Sequence, residues 1–143
     1  MDLPETLTLE SLLCEFGVDK EEAFIIRQGI ESRDVSVLDR LRSAVPTCDR
    51  IYQELLIANP DGVSGFYAWL NIAIGDALRL QSVEDAHQHF FRAWRAFLRT
   101  KDRELEEKAH ILALQFPKLT TFPEVTEYYR TNPEIAKRYN IVH

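Results

Sequence analysis

Two neighbouring apolar stripes constrain the fold of this chain more than any other feature. Between residues 64 and 80, apolar side chains recur at intervals of three and four: Phe66, Trp69, Leu70, Ala73, Ile74, Ala77 and Leu78. A second stripe follows the helix-start signal Ser82-Val-Glu-Asp85 and consists of Ala86, Phe90, Ala93, Trp94 and Phe97. Such spacing lines one face of an α-helix. We predict two long helices, about 64–80 and 82–99, which the short link folds into an antiparallel hairpin.

Helix-start and helix-stop residues recur on both sides of this pair. Four capping-type residues ahead of it each precede an apolar stripe: Thr8, Asp19, Asp34 and Thr47. Proline cannot donate a backbone hydrogen bond, so we expect Pro46 to end the third of these helices. The string Asn59-Pro60-Asp61-Gly62 is typical of a turn and is expected to end the fourth.

The chain behind the hairpin is also helical in pattern. Apolar spacing predicts a helix over about 102–116, stopped by Pro117. Two short helices are then expected to begin at Pro123 and Pro133, with Asn132 capping the second, because proline suits the first helical position. Patterns typical of strands are scarce.

These elements fit one core. A length of 143 residues and an apolar content of 45% are typical of a single globular domain. We therefore predict an all-α fold over 1–143: a compact single-domain bundle of about seven to nine helices, with a central antiparallel hairpin and short C-terminal helices.

Chemistry-bearing residues do not form a recognisable catalytic, metal or cofactor motif. Cys14 and Cys48 lack metal-ligand spacing and are expected to be buried free thiols. His87 and His89 point roughly 200° apart on a helix, so one ion would need a set such as Asp85, His89 and His110. We expect structural histidines, no catalytic or metal-binding residues, no cofactor and no enzyme activity.

Charge divides the chain unevenly. Residues 1–62 carry thirteen acids against six bases, whereas residues 63–143 carry ten against eleven. The net charge of −6 makes nucleic acid an unfavourable partner and a basic protein surface a favourable one. The acidic start Met1–Glu5 and the lack of a long apolar run predict no signal peptide, no membrane span and a cytoplasmic location.

Two clusters in the second half are candidate binding surfaces. Arg92, Arg95 and Arg99 share a helix face, and Lys101 and Arg103 extend it, which suits an anion or an acidic partner. Such cations also offset a helix dipole or pair with Glu104, Glu106 and Glu107. The tyrosines form a second candidate interface if they are exposed together: Tyr128, Tyr129 and Tyr139.

The sequence favours a non-enzymatic protein-interaction or regulatory domain. We expect it to present a charged helical surface to another protein. One alternative is a small acidic inhibitor or immunity-type protein that masks a basic target. Another is a ligand sensor or enzyme with a pocket in the bundle, using residues such as Asn71, Asp76, His87 or Arg95. A homo-oligomer is compatible with all three hypotheses.

Overall fold

The fold, described by a computed structural model for residues 1–143, contains eight α-helices, one 3-10 helix and no strand. The α-helices are α1 (Leu9–Glu15), α2 (Lys20–Glu31), α3 (Val37–Ala58), α4 (Pro60–Leu78), α5 (Val83–Arg99), α6 (Arg103–Gln115), α7 (Pro123–Thr131) and α8 (Pro133–Arg138), and the 3-10 helix is Pro117–Thr121. The predicted all-α class and the predicted number of helices are confirmed.

Helices α4 and α5 form the central hairpin. Trp69 packs edge-to-face on Phe97 with ring centroids 5.3 Å apart, while Gly75, later in α4, lies against Phe90, earlier in α5. These two contacts run in opposite chain directions, so the helices are antiparallel as predicted. The link is longer than predicted, because α4 ends at Leu78 and α5 begins at Val83.

Helix α4 begins four residues before the predicted position. Asn59 is its N-cap, and the Asn59 side chain accepts a hydrogen bond from the backbone N–H of Gly62 at 3.2 Å. Pro60 occupies the first helical position, where no backbone donor is required. The string predicted to be a turn is therefore the first turn of a helix.

The prediction that Pro46 ends a helix is wrong. Helix α3 runs through Pro46 without interruption, so Thr47 lies inside a helix and caps nothing. The missing hydrogen bond is outweighed by packing, because α3 buries one continuous stripe on both sides of the proline: Leu38, Leu41, Ala44, Cys48 and Tyr52.

Four predicted helix starts carry side-chain caps, but Asp34 does not cap α3, which begins at Val37 with Ser36 at its N-cap position. The side chains of Thr8, Asp19, Ser82 and Asp102 each accept a hydrogen bond from the first turn of their helix. Asn132 occupies the predicted N-cap position of α8, but its side chain does not bond to the first turn of that helix. Its amide instead donates to the carbonyl oxygen of Tyr128 at 2.8 Å, which satisfies an acceptor at the end of α7.

One apolar cluster of 35 buried residues takes side chains from every helix. Trp69 and Trp94 belong to it, but Phe66 does not, since this side chain is 42% exposed at the edge of the predicted stripe. The prediction of buried thiols is confirmed for Cys48, where burial raises the pKa to about 12, and is wrong for Cys14, which is exposed.

Candidate functional site: an arginine cavity between α3 and α5

Three of the five predicted basic residues converge on one open cavity of about 210 Å³, which we call the arginine cavity. Its lining comes from α3, α4 and α5: Asp49, Tyr52, Gln53, Tyr67, Arg92, Arg95, Ala96 and Arg99. The arginines reach it together because positions i, i+3 and i+7 share a helix face, opposite the face that enters the core.

Asp49 fixes one side of the arginine cavity. Its carboxylate accepts a hydrogen bond from the Tyr67 hydroxyl at 2.6 Å and lies 3.1 Å from the Arg92 guanidinium. Burial and the neighbouring carboxylate both raise the pKa of Tyr67, so its proton stays in this bond. Arg92 and Asp49 therefore neutralise each other within the cavity wall.

Arg99 stands on the other side and has no carboxylate within 4.0 Å. Its Nη1 donates to the Tyr52 hydroxyl at 2.9 Å, and that hydroxyl lies 2.9 Å from the Ser64 hydroxyl. Since arginine is only a donor, the Tyr52 oxygen accepts from Arg99 and its proton is available to the buried Ser64. The Tyr52 ring is in turn stacked on the Tyr67 ring at 3.8 Å. One end of the guanidinium is thus held in place, and Arg99 lines the arginine cavity.

Arg95 lies between the arginine cavity and a second depression. It pairs with Glu124 of α7, and its guanidinium lies 4.7 Å above the ring of Phe91. The expected pairing of the arginine stripe with Glu104, Glu106 or Glu107 does not occur, because the partners come from α3 and α7 instead. The three arginines and their two carboxylate partners leave one positive charge at the site.

Lys101 and Arg103 do not join this group. Lys101 is exposed beyond the end of α5, and Arg103 lines a different cavity on α6 and α8 with Glu106, Glu107 and His110. The predicted five-residue basic patch is therefore split. The break falls where the chain turns from α5 into α6.

The second depression, which we call the apolar depression, adjoins the arginine cavity and has a volume of about 470 Å³. Its lining is Trp94, Arg95, Leu98, Arg99, Glu124, Glu127 and Tyr128. Arg95 and Arg99 line both spaces and form the ridge between them.

The predicted tyrosine surface does not exist as a common exposed face. Tyr129 is fully buried, where its hydroxyl accepts from the Trp94 indole at 3.1 Å and lies in hydrogen-bond contact with Nδ1 of His110 at 2.8 Å. Tyr128 is half-buried beside the apolar depression, and Tyr139 donates to Glu107 at 3.1 Å. Helical spacing placed these rings on different sides of α7 and α8.

The three candidate histidines form hydrogen bonds within the chain. His87, His89 and His110 are buried, and each ring Nδ1 has a hydrogen-bond partner. His89 lies 2.9 Å from Oδ1 of Asn71, whose amide donates to the backbone, so the Asn71 side chain is also satisfied. No group of three His, Cys, Asp or Glu side chains is arranged to hold a metal ion.

Sequence reasoning missed the walls of the arginine cavity. Asp49, Tyr52 and Tyr67 lie on other helices, and the bond from Arg99 to Tyr52 spans 47 positions of the chain. No local pattern signals a contact over such a separation.

No protein-family model, no curated protein and no solved structure matches the chain. None of its helices combines the length and the apolar content that a membrane crossing requires.

Proposed function

We propose that the chain is a non-enzymatic interaction domain that binds an acidic segment of a partner protein, with a carboxylate of that segment in the arginine cavity. The observation that carries the proposal is Arg99: a guanidinium held by Tyr52, facing an open cavity and lacking a carboxylate partner within 4.0 Å. Arginine is suited to such a role because its planar donors match the two oxygens of a carboxylate.

Charge balance favours a singly charged group. Arg92 with Asp49, and Arg95 with Glu124, are already ion pairs, so Arg99 supplies the one positive charge left over. A carboxylate neutralises that charge, whereas a doubly charged phosphate would leave a negative charge beside Asp49.

The inhibitor alternative has less support. Six of the thirteen acids in residues 1–62 are ion-paired within the chain: Glu10, Glu22, Glu31, Asp39, Asp49 and Glu54. Acids scattered into such pairs offer a basic target a weaker surface than a dense unpaired cluster does.

The test is the binding of a fluorescein-labelled dodecapeptide of alternating Glu and Gly, followed by fluorescence anisotropy. A peptide with Gln in place of every Glu serves as the neutral control. We expect binding of the acidic peptide that weakens with salt, and about a tenfold loss of affinity in Arg99→Gln, since a charge-assisted hydrogen bond contributes on the order of 1.5 kcal/mol.

Arg138→Gln is the matched control, because Arg138 also has no carboxylate within 4.0 Å but lines the cavity on α6 and α8. It should bind the acidic peptide like the unmodified chain. The proposal is refuted if the acidic peptide does not bind, or if the two variants lose affinity equally.

A further inference from the structure

We propose that the domain recognises a two-part motif in its partner, an acidic residue together with a nearby large aliphatic residue, and that the aliphatic side chain occupies the apolar depression. This inference rests on the proposed function, since it assumes that the carboxylate lies in the arginine cavity. It adds a second contact and with it a sequence preference.

The first support is the position of the two spaces. They share Arg95 and Arg99 and lie on either side of this ridge, on the α3 flank and the α7 flank of α5. Because the same two side chains line both spaces, a short extended segment that crosses Arg95 and Arg99 can contact both spaces at once.

The second support is the chemistry of the apolar depression. Its acids already have partners, since Glu124 pairs with Arg95, and Glu127 accepts from Nε of Arg130 at 3.0 Å. The hydrogen bond from Arg130 lowers the pKa of Glu127, so Glu127 stays ionised and paired with Arg130. No unpaired acidic charge is left to attract a basic residue.

The third support is the apolar surface itself. Trp94 forms only the floor of this surface, because it is 2% exposed, and its indole N–H is used by Tyr129, so no polar atom of the ring is left unbonded. Tyr128 stands edge-to-face against Trp94 at 5.5 Å, and Leu98 is half-buried beside them. A shape-matched aliphatic side chain gains free energy there by leaving water, whereas a polar one loses hydrogen bonds.

The experiment compares peptides that share one Glu flanked by Gly and Ser. One set carries Leu at one to four positions on either side of the Glu, and the other carries Ala there. We expect the best Leu peptide to bind five- to tenfold more tightly than its Ala counterpart, because an open depression removes part of a Leu side chain from water. The preference should vanish in Leu98→Asn and persist in Leu114→Asn, the matched control, whose leucine is exposed on α6.

A second measurement needs no substitution. The indole N–H resonances of the two tryptophans are observed in a nitrogen-labelled sample during titration with the Leu and Ala peptides. We expect the Trp94 signal to shift more with Leu than with Ala, while Trp69, which packs against Phe97, stays in place with both.

The outcomes separate the two proposals. If acidic peptides bind through Arg99 but Leu and Ala bind equally, the motif is refuted and the proposed function stands. If no acidic peptide binds, the proposed function falls and the motif falls with it. If sedimentation shows self-association that Leu98→Asn abolishes, a second copy of the chain occupies the apolar depression and the motif is refuted.

Discussion

Gly75 allows α4 and α5 to approach closely at the centre of the bundle. A Cβ atom at this position would lie 2.5 Å from Cε1 of Phe90, and 2.9 and 3.0 Å from two further atoms of the same ring. The Phe90 ring cannot retreat freely, because it is stacked on Phe116 at 4.1 Å and meets His87 edge-to-face. Gly75→Ala should therefore destabilise the fold.

Two opposing terms set the magnitude. Alanine gains about 1 kcal/mol over glycine inside a helix, whereas overpacking a rigid core costs about 1–3 kcal/mol. Three atoms of the Phe90 ring would be too close to the new Cβ, and Phe116 holds that ring in place. We therefore expect an overpacking cost near the upper end of this range and a net decrease of about 2 kcal/mol in the free energy of unfolding. For a chain of this size, that loss lowers Tm by about 5 °C.

Gly65→Ala is the matched control on the same helix. A Cβ at Gly65 would meet only Cδ1 of Leu105, at 3.1 Å, and this is the free end of a flexible side chain. The helix term then prevails, and Gly65→Ala should leave stability unchanged or raise it by up to about 1 kcal/mol. Urea unfolding followed by circular dichroism measures both variants. The reasoning is wrong if Gly75→Ala is as stable as Gly65→Ala.

Two other substitutions test the packing. Pro46→Ala restores a backbone donor inside α3 and should raise the free energy of unfolding by about 1–3 kcal/mol; a loss of stability would mean that α3 requires the proline. Burial lowers the pKa of His89 to about 4. In the unfolded chain this histidine has a pKa near 6.5, so as the pH falls the unfolded state is protonated before the folded state. The free energy of unfolding therefore has its full value above about pH 6.5 and falls by about 3 kcal/mol towards pH 4. In urea unfolding at a series of pH values, His89→Gln should flatten the dependence of the unfolding free energy on pH between about 4 and 6.5. An unchanged slope would show that His89 is not its source.

Local signals were sufficient where the structure depends on local contacts. The apolar stripes placed the α4–α5 hairpin, and the caps at Thr8, Asp19 and Ser82 placed three helix starts, because both act within one or two turns. Tyr129 shows the limit of such reasoning. Its spacing did not reveal that its hydroxyl lies between Trp94 and His110, which come from two other helices.

The error at Pro46 and the missed walls of the arginine cavity have one cause. Asp49 and Tyr52 follow the proline by one and two helical turns, and they reach Arg92 and Arg99 only because α3 continues through it. A chain that broke at Pro46 would free both side chains from α5, and Arg99 would lose the phenol that orients it. The local rule failed because apolar residues on both sides of the proline pack into the same core. The packing of the buried face of α3 thus determines where Asp49 and Tyr52 stand in the arginine cavity. For this reason the basic residues could be predicted from the sequence, whereas the cavity that they line could not.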